Sequence, residues 1–176
     1  EIDEQLKRGN RVYREHLGRS ASIYGRRRSG LSPVLPQLLK QYGFRGAVYS
    51  VFDGGYLPRL AVSKANWEGV DGSEIDALCG VPLDASKSES CFKLVQRMAE
   101  SIERDYVSTV VLAHWPGQVN PWYDGLRRIA SYAPALGRFV TLGQYFESTH
   151  APEVRVRFEP DEYRWTSSLT RAVTAE

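Results

Sequence analysis

This sequence has few cysteines and no long apolar runs, and its net charge is small. Two cysteines in 176 residues are too few for a disulfide framework or a four-cysteine zinc site. Cys79 and Cys91 are therefore interpreted as small buried apolar residues, with a bridge between them as the alternative. No apolar run approaches the roughly 18 residues of a membrane-spanning helix. The P-loop, GxGxxG, HExxH, CxxC and GxSxG motifs do not occur, which argues against nucleotide-binding proteins, zincins and α/β-hydrolases.

The charge balance excludes two kinds of partner. Twenty-three basic and 21 acidic side chains leave a net charge of +2, which gives no general field for nucleic acid or a membrane surface. Apolar residues make up 42% and charged residues 25% of the chain, as in an ordinary globular domain. We expect a soluble protein of unassigned compartment. Because the chain begins at Glu1 within a helical pattern, we interpret it as part of a longer protein.

The strongest local pattern is a helix followed by a buried strand, in residues 29–55. Ser32 as N-cap and Pro33 at the first helical position open a predicted helix that Gly43 ends. Its apolar stripe consists of Leu35, Leu38, Leu39 and Tyr42. The apolar run 46–52 that follows predicts a strand buried on both faces, as in a parallel sheet.

Helical and strand patterns alternate along the rest of the chain. This alternation predicts an α/β fold with parallel strands and an inserted β-hairpin that turns at Asp71-Gly72. One domain is expected over residues 1–150, with 151–176 as a connection to a following domain or a frayed tail. The other predicted elements are helices at 2–17, 91–103 and 120–132, strands at 21–24, 107–113 and 139–142, a helical turn at 143–148 and a half-exposed strand at 154–158.

Two sets of residues are candidates for chemistry at strand ends. Asp53 follows a buried strand and precedes two glycines, so it is interpreted as a general acid, nucleophile or metal ligand, or else as a turn residue. His114 and Trp115 follow another apolar run. Their imidazole and flat ring suit a sugar site, since aromatic faces stack on sugar rings; a core histidine is the alternative.

Two further groups have a structural interpretation beside the functional one. Trp67, Glu68 and Asp71 would supply a stacking ring and carboxylates to substrate, or form an ordinary turn at Asp71-Gly72. The arginines at 26–28 would bind an acidic group, but adjacent strand residues point in different directions, which favours a solvated run.

Several motifs together resemble the catalytic domain of glycoside hydrolase family 38, the α-mannosidases. The family carries Asp-x-Phe-Gly, then Ser-Pro-x-Leu-Pro-Gln-Ile-Leu and Gly-Phe, and later Trp-x-Gly-x-Asp-Gly-Ser. This chain has Gly30-Leu31-Ser32-Pro33-Val34-Leu35-Pro36-Gln37-Leu38-Leu39, Gly43-Phe44 and Trp67-Glu68-Gly69-Val70-Asp71-Gly72-Ser73. The segment 139–146 is similar to the closing segment of related sugar hydrolase and deacetylase barrels. The resemblance implies part of a (β/α)7 barrel, a zinc ion held by His and Asp, and retaining hydrolysis by an Asp nucleophile.

The resemblance breaks down at the nucleophile. The family's Asp-x-Phe-Gly falls on Arg27-Arg28-Ser29-Gly30, and an arginine can neither attack an anomeric carbon nor bind zinc. The family's first zinc motif would lie before Glu1, so the zinc ligands are not identifiable in this chain. We therefore expect a domain that acts on or binds carbohydrate, with Asp53 and His114 as catalytic candidates and Trp115, Trp67, Asp71 and Arg27 as substrate-binding candidates. The alternatives are a non-catalytic glycan-binding or scaffolding domain and, more weakly, a metal-dependent polysaccharide deacetylase.

Overall fold

The structure is a computed structural model that describes residues 1–25, 31–49, 60, 62–79, 82–105, 112–113, 119–132 and 138–166. The helices in these ranges are α1 (Ile2–Leu17), α2 (Leu35–Gln41), α3 (Glu89–Asp105), α4 (Tyr123–Tyr132), α5 (Leu142–Ser148) and a 3₁₀ helix (Pro160–Thr166). The strands are β1 (Ile23–Tyr24), β2 (Gly46–Tyr49), β3 (Lys64–Glu68), β4 (Glu74–Cys79), β5 (Leu83–Asp84), β6 (Leu112–Ala113) and β7 (Arg155–Arg157).

Five of the strands form one mixed sheet in the order β1-β2-β4-β3-β7. β1 pairs with β2, β2 with β4, and β3 with β7 in parallel, whereas β3 and β4 form an antiparallel hairpin. β5 and β6 form a separate parallel pair. The predicted α/β class with mostly parallel strands is confirmed.

The predicted barrel is not formed by the described residues. Their five-stranded sheet is open, with β1 at one edge and β7 at the other. The predicted hairpin is present, but it is no insertion: β4 lies in the centre of the sheet beside β2. A hairpin in sequence does not reveal whether its strands extend a sheet or stand apart from it, which is why the topology differs from the expectation.

A row of alanines on one face of the sheet makes room for the aromatic core. Ala47, Ala77 and Ala65 are direct neighbours on β2, β4 and β3, and none is more than 1% exposed. Tyr49 and Trp67 lie two residues further along β2 and β3 and therefore on the same face, and they belong to one core cluster with Phe158 and Tyr163. α2 closes this face with Leu35 and Leu39, both fully buried.

A second, smaller core joins the β5–β6 pair to the helices α3 and α4. Leu83 and Ala85 pack with Leu94 of α3 and Leu126 of α4. Leu126 is fully buried. Trp122 lies just before α4 and is 42% exposed.

The chain after residue 150 contributes to the main sheet and its core. β7 pairs with β3, and Phe158 and Tyr163 are 8% and 6% exposed within the core cluster. The half-exposed strand predicted at 154–158 is present as β7. The sequence predicts a connection or frayed tail for the residues that follow, because a polar stretch with the single buried ring of Tyr163 shows no periodicity. Residues 167–176 lie outside the described residues.

Candidate functional site

The parallel strands β1, β2 and β4 all end on the same side of the sheet, which we call its carboxyl edge. β1 ends at Tyr24, level with Ala47, and β2 ends at Tyr49, level with Cys79 at the end of β4. In open α/β sheets, ligands bind outside the carboxyl ends of the strands. This carboxyl edge is therefore the candidate site that the fold itself defines.

Four of the predicted site residues lie outside the described residues: Arg27, Asp53, His114 and Trp115. Arg27 follows β1 and Asp53 follows β2 in the sequence, while His114 and Trp115 follow β6. Their roles stay predictions. The described strands show only that the chain leaves both β1 and β2 at the carboxyl edge.

Asp71 lies in the turn of the β3–β4 hairpin. One carboxylate oxygen accepts the backbone N–H of Ser73 at 3.0 Å, and the other accepts its hydroxyl at 2.7 Å. Both bonds favour the ionised form and hold the pKa of Asp71 below its usual value. Gly72 adopts a φ of 81°, the left-handed conformation that this turn requires. The carboxylate is thus engaged in organising the turn.

The hairpin turn contacts the segment that precedes α2. The backbone N–H of Val70 donates to the carbonyl of Pro33 at 3.1 Å. A Cβ atom at Gly69 would lie 3.2 Å from that carbonyl oxygen and 3.2 Å from the Cβ of Pro36, so the close approach favours glycine. The two segments on which the α-mannosidase resemblance depends most are therefore packed against each other.

Trp67 is a core residue of β3. It is 1% exposed, its Nε1–H donates to the Tyr163 hydroxyl at 2.8 Å, and its ring meets the Tyr49 ring edge-on at a centroid distance of 5.0 Å. Trp67 and Asp71 both lie toward the edge where β4 begins, opposite the carboxyl ends of β2 and β4. Asp71 thus lies at the opposite end of the sheet from the residues that follow β2, whereas the Trp67 ring extends to Tyr49, the last residue of β2.

Tyr49, at the carboxyl end of β2, has a feature that the sequence did not reveal. Its ring stacks on Phe158 at 5.0 Å and is 2% exposed, and its hydroxyl has no hydrogen-bond partner among the described residues. Burial strongly raises the pKa of this phenol, because the ionised form would lose its hydration. Burial also raises the pKa of Tyr163 to about 12. Both phenols are neutral parts of the core.

The two buried tyrosines are expected to respond oppositely to loss of the hydroxyl. Tyr49→Phe removes a buried polar group without a partner and should raise the free energy of unfolding by about 1 kcal/mol. Tyr163→Phe leaves the Trp67 Nε1–H without its acceptor and should lower it by about 1–3 kcal/mol. Urea unfolding of the two variants measures both changes. Equal destabilisation by the two substitutions would contradict this account of the core.

The zinc ion implied by the α-mannosidase resemblance has no ligand set in the described part of the chain. No group of three His, Cys, Asp or Glu side chains within those ranges is arranged to hold a metal ion. Asp71 is hydrogen-bonded to Ser73, and Asp76 is paired with Lys64 at 3.3 Å. The described donor atoms do not fit a zinc site, and no chemical step is assigned to one.

No protein-family model matches the chain, and no curated protein matches it either. Within the described ranges, none of the helices combines the length and apolar character needed to cross a membrane.

Proposed function

We propose that the chain belongs to a glycoside hydrolase-like domain that acts on or binds glycans, related to the α-mannosidases of family 38. The carbohydrate would bind at the carboxyl edge of β1, β2 and β4, the edge at which α/β sheets bind ligands. A complete (β/α)7 barrel is part of the same proposal. It would require further strands outside the described residues.

The observation that carries the proposal is the contact between the two resembling segments. Val70 donates its backbone N–H to the carbonyl of Pro33, and Gly69 lies close to Pro36. Their contact supports reading them as parts of one inherited arrangement.

The proposed chemistry depends on Asp53. Glycosidases commonly use a pair of carboxyl groups on either side of the scissile bond, one as acid and one as nucleophile or base. Arg27 occupies the position of the family's nucleophile, so Asp53 is assigned as a replacement carboxylate. His114 and Trp115 would line the sugar subsite through a hydrogen bond and ring stacking.

A second candidate function is favoured by Arg27 itself. A domain that kept the fold but replaced the nucleophile by arginine would bind glycans, or act as a scaffold, without cleaving them. A guanidinium group donates several hydrogen bonds in one plane, which suits hydroxyl or carboxylate groups of a glycan.

Turnover of aryl glycosides separates the two candidates. We expect the purified protein to release the aryl alcohol from at least one glycoside in a panel that varies the sugar and the anomeric configuration. Binding of glycans with no release from any member would establish the non-catalytic function instead. The point variant Asp53→Asn is the control for catalysis, because it leaves the length of the connection between β2 and β3 unchanged.

A further inference from the structure

The helix α5 lies against the sheet, and none of its residues is buried. It has seven residues, too few for an isolated helix to be stable in water. A capping box between Thr141 and Gln144 fixes its first turn. Its persistence therefore depends on contacts with β2, β3 and the residue before β2.

The closest of these contacts places an aromatic ring on a glycine. A Cβ atom at Gly46 of β2 would lie 2.8 Å from three ring atoms of Phe146, so the ring rests directly on bare backbone. Beside it, Arg45 and Glu147 form an ion pair at 2.7 Å, with both side chains more than half exposed. Exposed pairs of this kind contribute little to stability.

Lys64 on β3 makes a further contact with this segment. Its ammonium group donates to the His150 carbonyl at 2.7 Å and to the Thr149 hydroxyl at 3.0 Å, directly after the C-terminus of α5. The same group lies 5.6 Å and 5.5 Å from the ring centroids of Tyr145 and Phe146. A cation just beyond the C-terminus of a helix interacts favourably with the helix dipole.

Lys64 also has a partner outside α5, the carboxylate of Asp76. Its ammonium lies 3.3 Å from the carboxylate of Asp76 on the neighbouring strand β4, and the Lys64 side chain is 8% exposed. If α5 moves away, the ammonium keeps this partner and gains water. The separation therefore leaves no buried unpaired charge, the outcome that would otherwise be costly.

We propose that α5 is a cover on this face of the sheet that opens independently of the core, with the Lys64 ammonium as its latch. In the closed state it covers Gly46 on β2 and Lys64 on β3. In the open state these two, together with Asp76 on the strand between them, form an accessible strip that offers a cation, a carboxylate and bare backbone on three adjacent strands.

Hydrogen–deuterium exchange of the intact protein tests the proposal. The amides of residues 145–149 should exchange at least about tenfold faster than those of β4, because they open locally rather than globally. Lys64→Met keeps the aliphatic side chain and removes the ammonium, and it should accelerate exchange at 145–149 by about a further tenfold, clearly more than at β4, where it removes only the ion pair with Asp76. Lys40→Met is the matched control, since Lys40 is on α2 and makes a longer contact, 3.4 Å, with the Glu74 carbonyl.

Two results would overturn the proposal. One is exchange of 145–149 at the same rate as β4 in the unmodified protein, which would make α5 part of the cooperative core. The other is equal acceleration of β4 and 145–149 by Lys64→Met. If Lys64→Met does not fold, Thr149→Val removes one acceptor of the ammonium and should produce the same local acceleration; failure to do so also contradicts the latch.

Discussion

Trp67→Ala is expected to lower the free energy of unfolding by about 3–5 kcal/mol, the range for removing a buried tryptophan. Trp67 is 1% exposed within the main core cluster, so its loss leaves a cavity there. The substitution also removes the Nε1–H that donates to Tyr163, and with it the link between β3 and the 3₁₀ helix. Urea unfolding followed by circular dichroism measures the change.

Two further variants make this experiment specific. Trp67→Phe retains an aromatic ring and should cost about 1–2 kcal/mol, because it loses one hydrogen bond and part of the buried ring. Trp122→Ala removes a tryptophan that is 42% exposed and should cost less than about 1 kcal/mol. A Trp67→Ala variant as stable as Trp122→Ala would contradict the placement of Trp67 in the core.

Asp53→Asn is expected to lower the rate of aryl glycoside hydrolysis by about 10²–10⁴-fold, the usual contribution of a catalytic acid or base. Asparagine has nearly the same shape as aspartate but can neither give up a proton as an acid nor carry the charge of a nucleophile. The measurement is kcat/KM for the glycoside that the unmodified protein hydrolyses fastest. An unchanged melting temperature would show that the loss is chemical.

The control for this variant is an exposed acidic residue on a helix. Glu103 is exposed on α3, and Glu103→Gln removes one negative charge as Asp53→Asn does. It should leave the rate unchanged. Equal rates for Asp53→Asn and the unmodified protein would remove Asp53 from the mechanism.

Elements with strong local signals could be predicted from the sequence. α1 spans Ile2–Leu17 as its periodicity indicates, and Gly18 follows it with a φ of 65°. The hairpin turns at Asp71-Gly72, where the side chain of the aspartate and the left-handed glycine both favour a turn. These features depend on neighbouring residues alone, so no tertiary contact overrides them.

Two predictions were wrong, the start of α2 and the strand at 139–142, because another local sequence signal determined the structure. α2 begins at Leu35, whereas Ser32 and Pro33 predicted an earlier start. A start at Pro33 would place Pro36 where its backbone N–H is needed for a helical hydrogen bond, and proline has none. The predicted strand at 139–142 is absent: Phe139 and Val140 are exposed, and Thr141 caps α5. The capping box favours the start of a helix at Thr141, whereas the β-branched and aromatic residues favour a strand; the helix is the structure that forms.

The candidate site was harder to predict, because the sequence does not show which end of the sheet a residue occupies. Trp67 and Asp71 were grouped with Asp53 on chemical grounds. The hairpin places them toward the edge where β4 begins. The roles of Lys64 and Tyr49 could not be predicted from the sequence either, because they depend on burial and on partners distant in sequence, such as His150 and Phe158.

Glycan-array binding by the intact protein tests the central claim most directly, since both proposed functions require recognition of carbohydrate. We expect retention of a chemically related group of glycans, and weaker retention by a variant in which Trp115 is replaced by alanine, because a stacking ring is lost. A folded protein that binds none of the glycans on the array would contradict the assignment of this chain to carbohydrate recognition or hydrolysis.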